Sequence, residues 1–389
     1  MGERTLKTMF HLMRKWATLV ITAVVLSGVG VLDDQAHAEE KTAPKPNDTP
    51  VDKLKPGHWL RVAGSALKSV APPDGGNVIE PWSGGAFDTK RDQLIVWGGG
   101  HGDYSGNEIY TFSLNSLKWT RTTNPSQPPA KDTPYAADGG PCSRHTYNYI
   151  QYVPAADRFV SFGGAGFSTS GQTGTSNTDA FDFETRKWSK LADTPPKARG
   201  IGAFSGVDSA TGHVWLHGAG GKGLILAEYA PGTNTWTTHS GMWDEGDNDF
   251  SYYLTAAVDT KRKLFVACGG GTMWTWKIGA SGTIVGKKLE SSGDNVIVKA
   301  ASPGFEYNQK LDCFVAWSGG SDVFTLNLDT KVWTKVAPAP ENTVTPTAAT
   351  QTGTFGRFRY CPNKDVYVVV NGVLEDVYIY RLPKIHSNP

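Results

Sequence analysis

Two histidines stand where a proton could be moved. His101 lies in the glycine-flanked run Gly98-Gly99-Gly100-His101-Gly102-Asp103-Tyr104, and His145 in Ser143-Arg144-His145-Thr146-Tyr147. Imidazole titrates near neutrality and a phenol can hand a proton to a leaving oxygen, so His145 with Tyr147 or Tyr104 supplies a base and an acid. Arg144, Arg199 and His101 add positive charge suited to holding a carboxylate. The set predicts a site that neutralises an acidic ligand and shifts a proton on it. The glycines beside His101 suit a plain tight turn equally well.

Whether these residues meet depends on the elements that carry them. One pattern returns six times at a spacing of roughly 40 to 50 residues, which is the signature of propeller blades. The first copy reads Trp82-Ser83-Gly84-Gly85-Ala86-Phe87-Asp88, Gln93-Leu94-Ile95-Val96-Trp97, a triple glycine, Glu108-Ile109-Tyr110-Thr111-Phe112 and a closing Lys118-Trp119. Apolar, β-branched and aromatic runs bounded by Gly, Asp and Asn predict four short antiparallel strands per copy. Later copies centre on residues 157–164, 213–218, 263–270, 313–320 and 365–372. The sixth lacks an outer strand, and His58-Trp59-Leu60-Arg61-Val62 has the look of that strand without the other three. Pairing the two ends closes a ring and removes an open edge. The fold class predicted is all-β, a six-bladed propeller, with seven blades if residues 120–140 or 280–300 hide a degenerate copy.

In such a blade the loops before the first strand and after the second share one mouth. The copies then place Arg144, Arg199 and Lys299 at one equivalent position. Like charges converging on a concave site repel unless a counter-ion relieves them, which points to an anionic ligand. The plainer reading pairs each cation with an acid such as Asp103, Asp138 or Asp249. Trp82, Tyr147, Tyr252 and Tyr253 offer flat faces to sugar rings, whereas most other Trp residues recur at blade-equivalent positions and read as packing. Arg357 and Arg359 alternate along one strand and face one side. Arg357 joins the predicted ligand set there, although both arginines suit a bracing role. Residues 168–176 read as a long loop near the mouth.

The double glycine after the second strand, the runs Asn107-Glu108-Ile109-Tyr110 and Asp376-Val377-Tyr378, and the closing Trp resemble kelch and galactose-oxidase-like propellers over residues 58–383. The resemblance implies a fold, and that fold serves oxidases, lyases, mutarotases and inert adaptors alike. The Tyr-His dipeptide that galactose oxidase's copper site implies is absent. The His, Tyr and Arg set is similar in chemistry to propeller polysaccharide lyases, without a residue-by-residue match.

Composition bounds the rest. The chain has 389 residues, 45 Gly, 13 Trp and a net charge of +1, which argues against a nucleic-acid partner driven by charge. Lys7, Arg14 and Lys15 precede an apolar run over residues 16–32, and Ala36-His37-Ala38 follows. Residues 1–38 therefore read as a secretory signal, 39–57 as a flexible leader and 58–389 as the propeller. The expected place is the periplasm or the outside, as a monomer with no membrane span after cleavage. Cys142, Cys268, Cys313 and Cys361 match no zinc spacing and read as buried thiols or one inter-blade bridge. The sequence gives no metal ligand set and no cofactor motif. The leading expectation is an acidic oligo- or polysaccharide bound at the mouth and cleaved by β-elimination. The alternatives are a non-catalytic glycan- or protein-binding module of the cell envelope and a sugar mutarotase or isomerase.

Overall fold

The computed structural model describes residues 49–127, 133–167, 173–199, 201–219, 224–239, 253–279 and 283–384. The proposed signal over residues 1–38 lies outside them, as do Tyr252, Asp249 and residues 168–172. Among the described residues no helix is long and apolar enough to cross a membrane.

Six antiparallel sheets stand around a ring as a six-bladed β-propeller. The innermost strands are Gly85–Asp88, Ile150–Val153, Phe204–Val207, Thr255–Asp259, Gly304–Asn308 and Phe358–Cys361. The next strand out is buried on both faces because a neighbouring blade lies on each side. That is why runs such as Val366–Val369 carry no polar alternation and are buried throughout. Among the described residues, 283–300 hold no extra blade: Gly286–Lys288 is the fourth strand of blade four, and Ser292–Gly293 pairs with Val332 and Trp333 of blade five. All four cysteines are buried free thiols.

Closure follows the arrangement expected from the chain ends. Trp59–Val62 pairs antiparallel with Val377–Tyr380 and supplies the outer strand of blade six. Trp59 is 3% exposed and packs its ring 4.7 Å from Tyr380 and 5.9 Å from Trp317 of blade five. Within the stretch 39–57 expected to be a leader, the described residues 49–57 are packed on the propeller. Val51 is fully buried in the core between blades one and six, and Gly57 bonds to both Arg381 and Ala339 through its backbone.

A second device ties blade to blade. The residue just before the second strand adopts left-handed φ in five blades, at Asp92, Asp157, Lys263, Asp312 and Asp365. This is the position that favours Asp or Asn in a tight turn. Three of these carboxylates receive a cation from the preceding blade. Arg91 holds Asp157 at 2.8 and 3.0 Å, Arg262 holds Asp312 at 2.6 and 3.0 Å, and Lys310 holds Asp365 at 2.5 Å. A tyrosine of the innermost strand, Tyr152, Tyr307 or Tyr360, donates its hydroxyl to the same carboxylate. Hydrogen bonds from Arg91 and from Arg262 hold Asp157 and Asp312 well below the usual carboxylate range. A carboxyl whose folded pKa is depressed contributes stability above its unfolded value and loses it as pH falls through the folded value. The urea midpoint is therefore expected to drop steadily below about pH 5. In an Asp157→Asn/Asp312→Asn variant the midpoint should start lower at neutral pH and fall less on acidification. An equally steep fall in the variant would assign the acid sensitivity elsewhere.

Candidate functional site

A backbone feature repeats ahead of the innermost strands. Five or six residues before the end of five of the six innermost strands stand Trp82, Tyr147, Gly202, Ser302 and Phe355, all in the left-handed region. Only Gly202 adopts that conformation without steric cost; for bulky Trp, Tyr and Phe it is a true outlier. These residues are stitched around the ring: the Tyr147 N–H donates to the Trp82 carbonyl at 2.7 Å, Ser302 to Tyr253 at 2.9 Å, and Phe355 to Ser302 at 2.9 Å. The reversal turns the Trp82, Tyr147 and Phe355 rings into one apolar cluster, with the Tyr147 and Phe355 centroids 5.7 Å apart. Strained backbone held by its surroundings is a mark of functional sites.

Against Trp82 and Tyr147 lies the histidine pair. The loop after blade one's second strand is bonded to blade two: Gly100 N–H donates to Ser143 Oγ at 3.1 Å, Ser143 Oγ–H donates to the Tyr104 carbonyl at 2.6 Å, and His101 N–H donates to the Ala165 carbonyl at 3.3 Å. Gly100 has φ +75°, and a Cβ there would lie 2.3 Å from the Arg144 Cα, so only glycine allows the loop this close. His101, itself at φ +51°, is thereby presented to His145, with ring centroids 5.3 Å apart. His145 is buried, its ring 4.9 Å from the half-buried Trp82 indole and 6.0 Å from Tyr147 at 74°. Its Nε2 lies 2.7 Å from Oδ2 of Asp103, a carboxylate 39% exposed. Burial pushes the His145 imidazole below its ordinary pKa, against the opposing pull of Asp103. Donor atoms of His101, Asp103 and His145 all lie within 4.8 Å of one another.

Other residues expected at this mouth are placed elsewhere. Arg144 turns into blade two, fully buried, where it donates to the Asn177 carbonyl at 2.8 Å and forms an ion pair with buried Asp179. It does so because the second strand of blade two runs on through its double glycine, as Arg158–Gly166. Arg144 and His145 add to that strand's edge. Tyr104 faces away from the histidines, donating its hydroxyl to Glu108 at 2.5 Å and accepting from the Gly76 N–H at 2.8 Å. Burial and the Glu108 carboxylate both raise its pKa strongly, which makes it a poor proton donor. Arg357 is fully buried between blades six and one, donating to the carbonyls of Val370, Gly353 and Ser83. Arg359 lies farther down the channel wall, 2.6 Å from Glu306 and bonded to the Gly85 carbonyl.

Arg199 is half-buried beside Gly163 of blade two, while Lys299 is exposed at the end of the turn Asn295–Lys299, three blades on from His145. Tyr253 is exposed in blade four, and Tyr252 lies outside the described residues. Residues 173–176 of the expected 168–176 loop belong to the strand Thr173–Asp182. Thus His101, His145, Tyr147 and Trp82 come together, and the two buried arginines do not join them. Asp103 enters from the sequence only as a counter-ion to the cations. Its spacing, His-x-Asp inside a glycine-rich loop, was the available signal that it serves the histidines. Compared with models of known families and with curated proteins, the chain matches none.

Proposed function

We propose that this mouth binds an acidic saccharide and moves a proton on it, as a polysaccharide lyase built on a kelch-like propeller. The carrying observation is the His145–Asp103 dyad set between the Trp82 ring and Tyr147. In β-elimination His145 takes the proton beside the uronate carboxylate and the released pair forms the ring double bond. The bond to the glycosidic oxygen breaks, and Tyr147 protonates that oxygen. Asp103 orients the imidazole and stabilises its protonated form. The half-buried Trp82 face suits a sugar ring. Arg199 and His101 remain for the carboxylate, with Arg144 and Arg357 assigned to bracing the blades. A secretory signal over residues 1–38 would deliver the protein to polymers outside the cytoplasm.

The test is ultraviolet absorbance from the unsaturated uronate product during incubation with a panel of acidic polysaccharides. Turnover is expected, with a loss of about 10²- to 10⁴-fold in His145→Ala. Turnover that survives this substitution would overturn the assignment of the base. The burial of Arg144 and Arg357 favours a second reading, a non-catalytic glycan- or protein-binding module. Polysaccharide binding without absorbance change, unaffected by His145→Ala, would establish it.

A further inference from the structure

We propose that His101, Asp103 and His145 form a binding site for one divalent transition-metal ion of the zinc class. Two imidazoles and one carboxylate are the donor set such ions prefer, while calcium and magnesium seek oxygen alone. Bonds of about 2.0–2.2 Å place ligand atoms around one ion roughly 3.4 Å apart. The three donors lie within 4.8 Å of one another, with the His145 to Asp103 pair at 2.7 Å, so their spacing brackets that value. Seating the ion requires Asp103 to draw back from His145 by less than about 1 Å and any wider pair to close by up to about 1.4 Å, movements open to a 39%-exposed carboxylate and a partly exposed imidazole on a loop.

The scaffold already fixes the two imidazoles. His145 is held on the edge of blade two, and His101 is carried by a loop whose Gly100 and Ser143 bonds anchor it to that same edge. Three protein donors leave a coordination position for water or a ligand oxygen, the pattern of an open site. This goes beyond the proton-transfer reading and does not depend on it. An ion bound to His145 Nε2 displaces the hydrogen bond to Asp103, so a loaded site and a working His145–Asp103 dyad exclude one another. Metal is thus a competitor of the base.

The experiment is a titration of the full mature chain, stripped with chelator, by zinc in calorimetry and by cobalt in visible absorption. One equivalent of zinc per chain is expected, with a cobalt spectrum of low-coordinate nitrogen and oxygen ligation that magnesium in excess does not displace. His101→Ala and Asp103→Ala alter partly exposed loop residues and should keep the thermal transition of the parent. Each should weaken zinc at least about 100-fold, more than loss of an outer hydrogen bond to a ligand costs. No stoichiometric zinc in the parent chain, or unchanged affinity in both variants, overturns the site. Neither result bears on saccharide turnover, which is read separately by absorbance.

Discussion

A chain truncated to begin at Gly64, without Trp59–Val62, is expected to lose its cooperative unfolding transition. The strand removed supplies every outer backbone partner of Val377–Tyr380, so truncation leaves that strand as an open edge. It also removes the buried Trp59 ring from between Tyr380 and Trp317, which uncovers the seam of blades five and six. Further bonds go with it, among them Arg61 to Asp376 at 2.7 Å and the Trp59 indole N–H to the Ser321 carbonyl at 2.9 Å. Trp59→Ala alone is expected to cost about 3–5 kcal/mol through the cavity and lost apolar burial. Calorimetry should show a broad, low-enthalpy transition for the truncated chain, and a peptide spanning residues 49–64 should restore a sharp one in trans. A truncated chain that melts like the parent would mean that the ring is held shut by the other inter-blade contacts.

The second large effect concerns Arg144. Its guanidinium and the Asp179 carboxylate are both out of solvent, and removing one partner leaves the other as an uncompensated buried charge. Arg144→Ala is expected to lower stability by about 3–5 kcal/mol, read as a fall in the denaturant midpoint at constant slope. The paired change Arg144→Met/Asp179→Leu should recover most of that loss, because apolar residues of similar volume can replace a buried pair. Binding of an acidic saccharide by the refolded double variant should match the parent. A loss of binding in the double variant, with stability regained, would return Arg144 to the ligand set.

The blades were legible because their punctuation is chemical. A second strand buried on both faces must be continuously apolar, and the turn before it must accept left-handed backbone, so each copy announces itself twice in the sequence. The closing strand was legible as a surplus at one end matching a deficit at the other. The approach of His101 to His145 followed from blade geometry, since one loop leaves the mouth where the next strand enters it. The direction of Arg144 did not follow. Its partner, Asp179, is 35 residues away on another strand, and the pairing exists only because the hairpin of blade two is longer than the rest. Tyr104 was misplaced for a related reason: its hydroxyl is taken by Glu108 on the far side of its own loop. The left-handed conformations of Trp82, Tyr147 and Phe355 are invisible locally, because nothing in those residue types favours them. Backbone bonds between distant residues, Tyr147 to Trp82 and Phe355 to Ser302, accompany them.

The closing strand also sets the order in which this protein can be finished. Arg61 and its partner Asp376 are 315 residues apart, so blade six cannot be completed until Val377–Tyr380 has been synthesised. Until then the earliest strand of the propeller is an unpaired ribbon, and five blades wait as an open arc. Contacts that distant in sequence fold slowly. Once made, an interaction formed that late is the kind whose strength slows unfolding more than it speeds folding. The native ring should therefore be long-lived against proteases, while the nascent arc is the stage at which a chaperone has most to do.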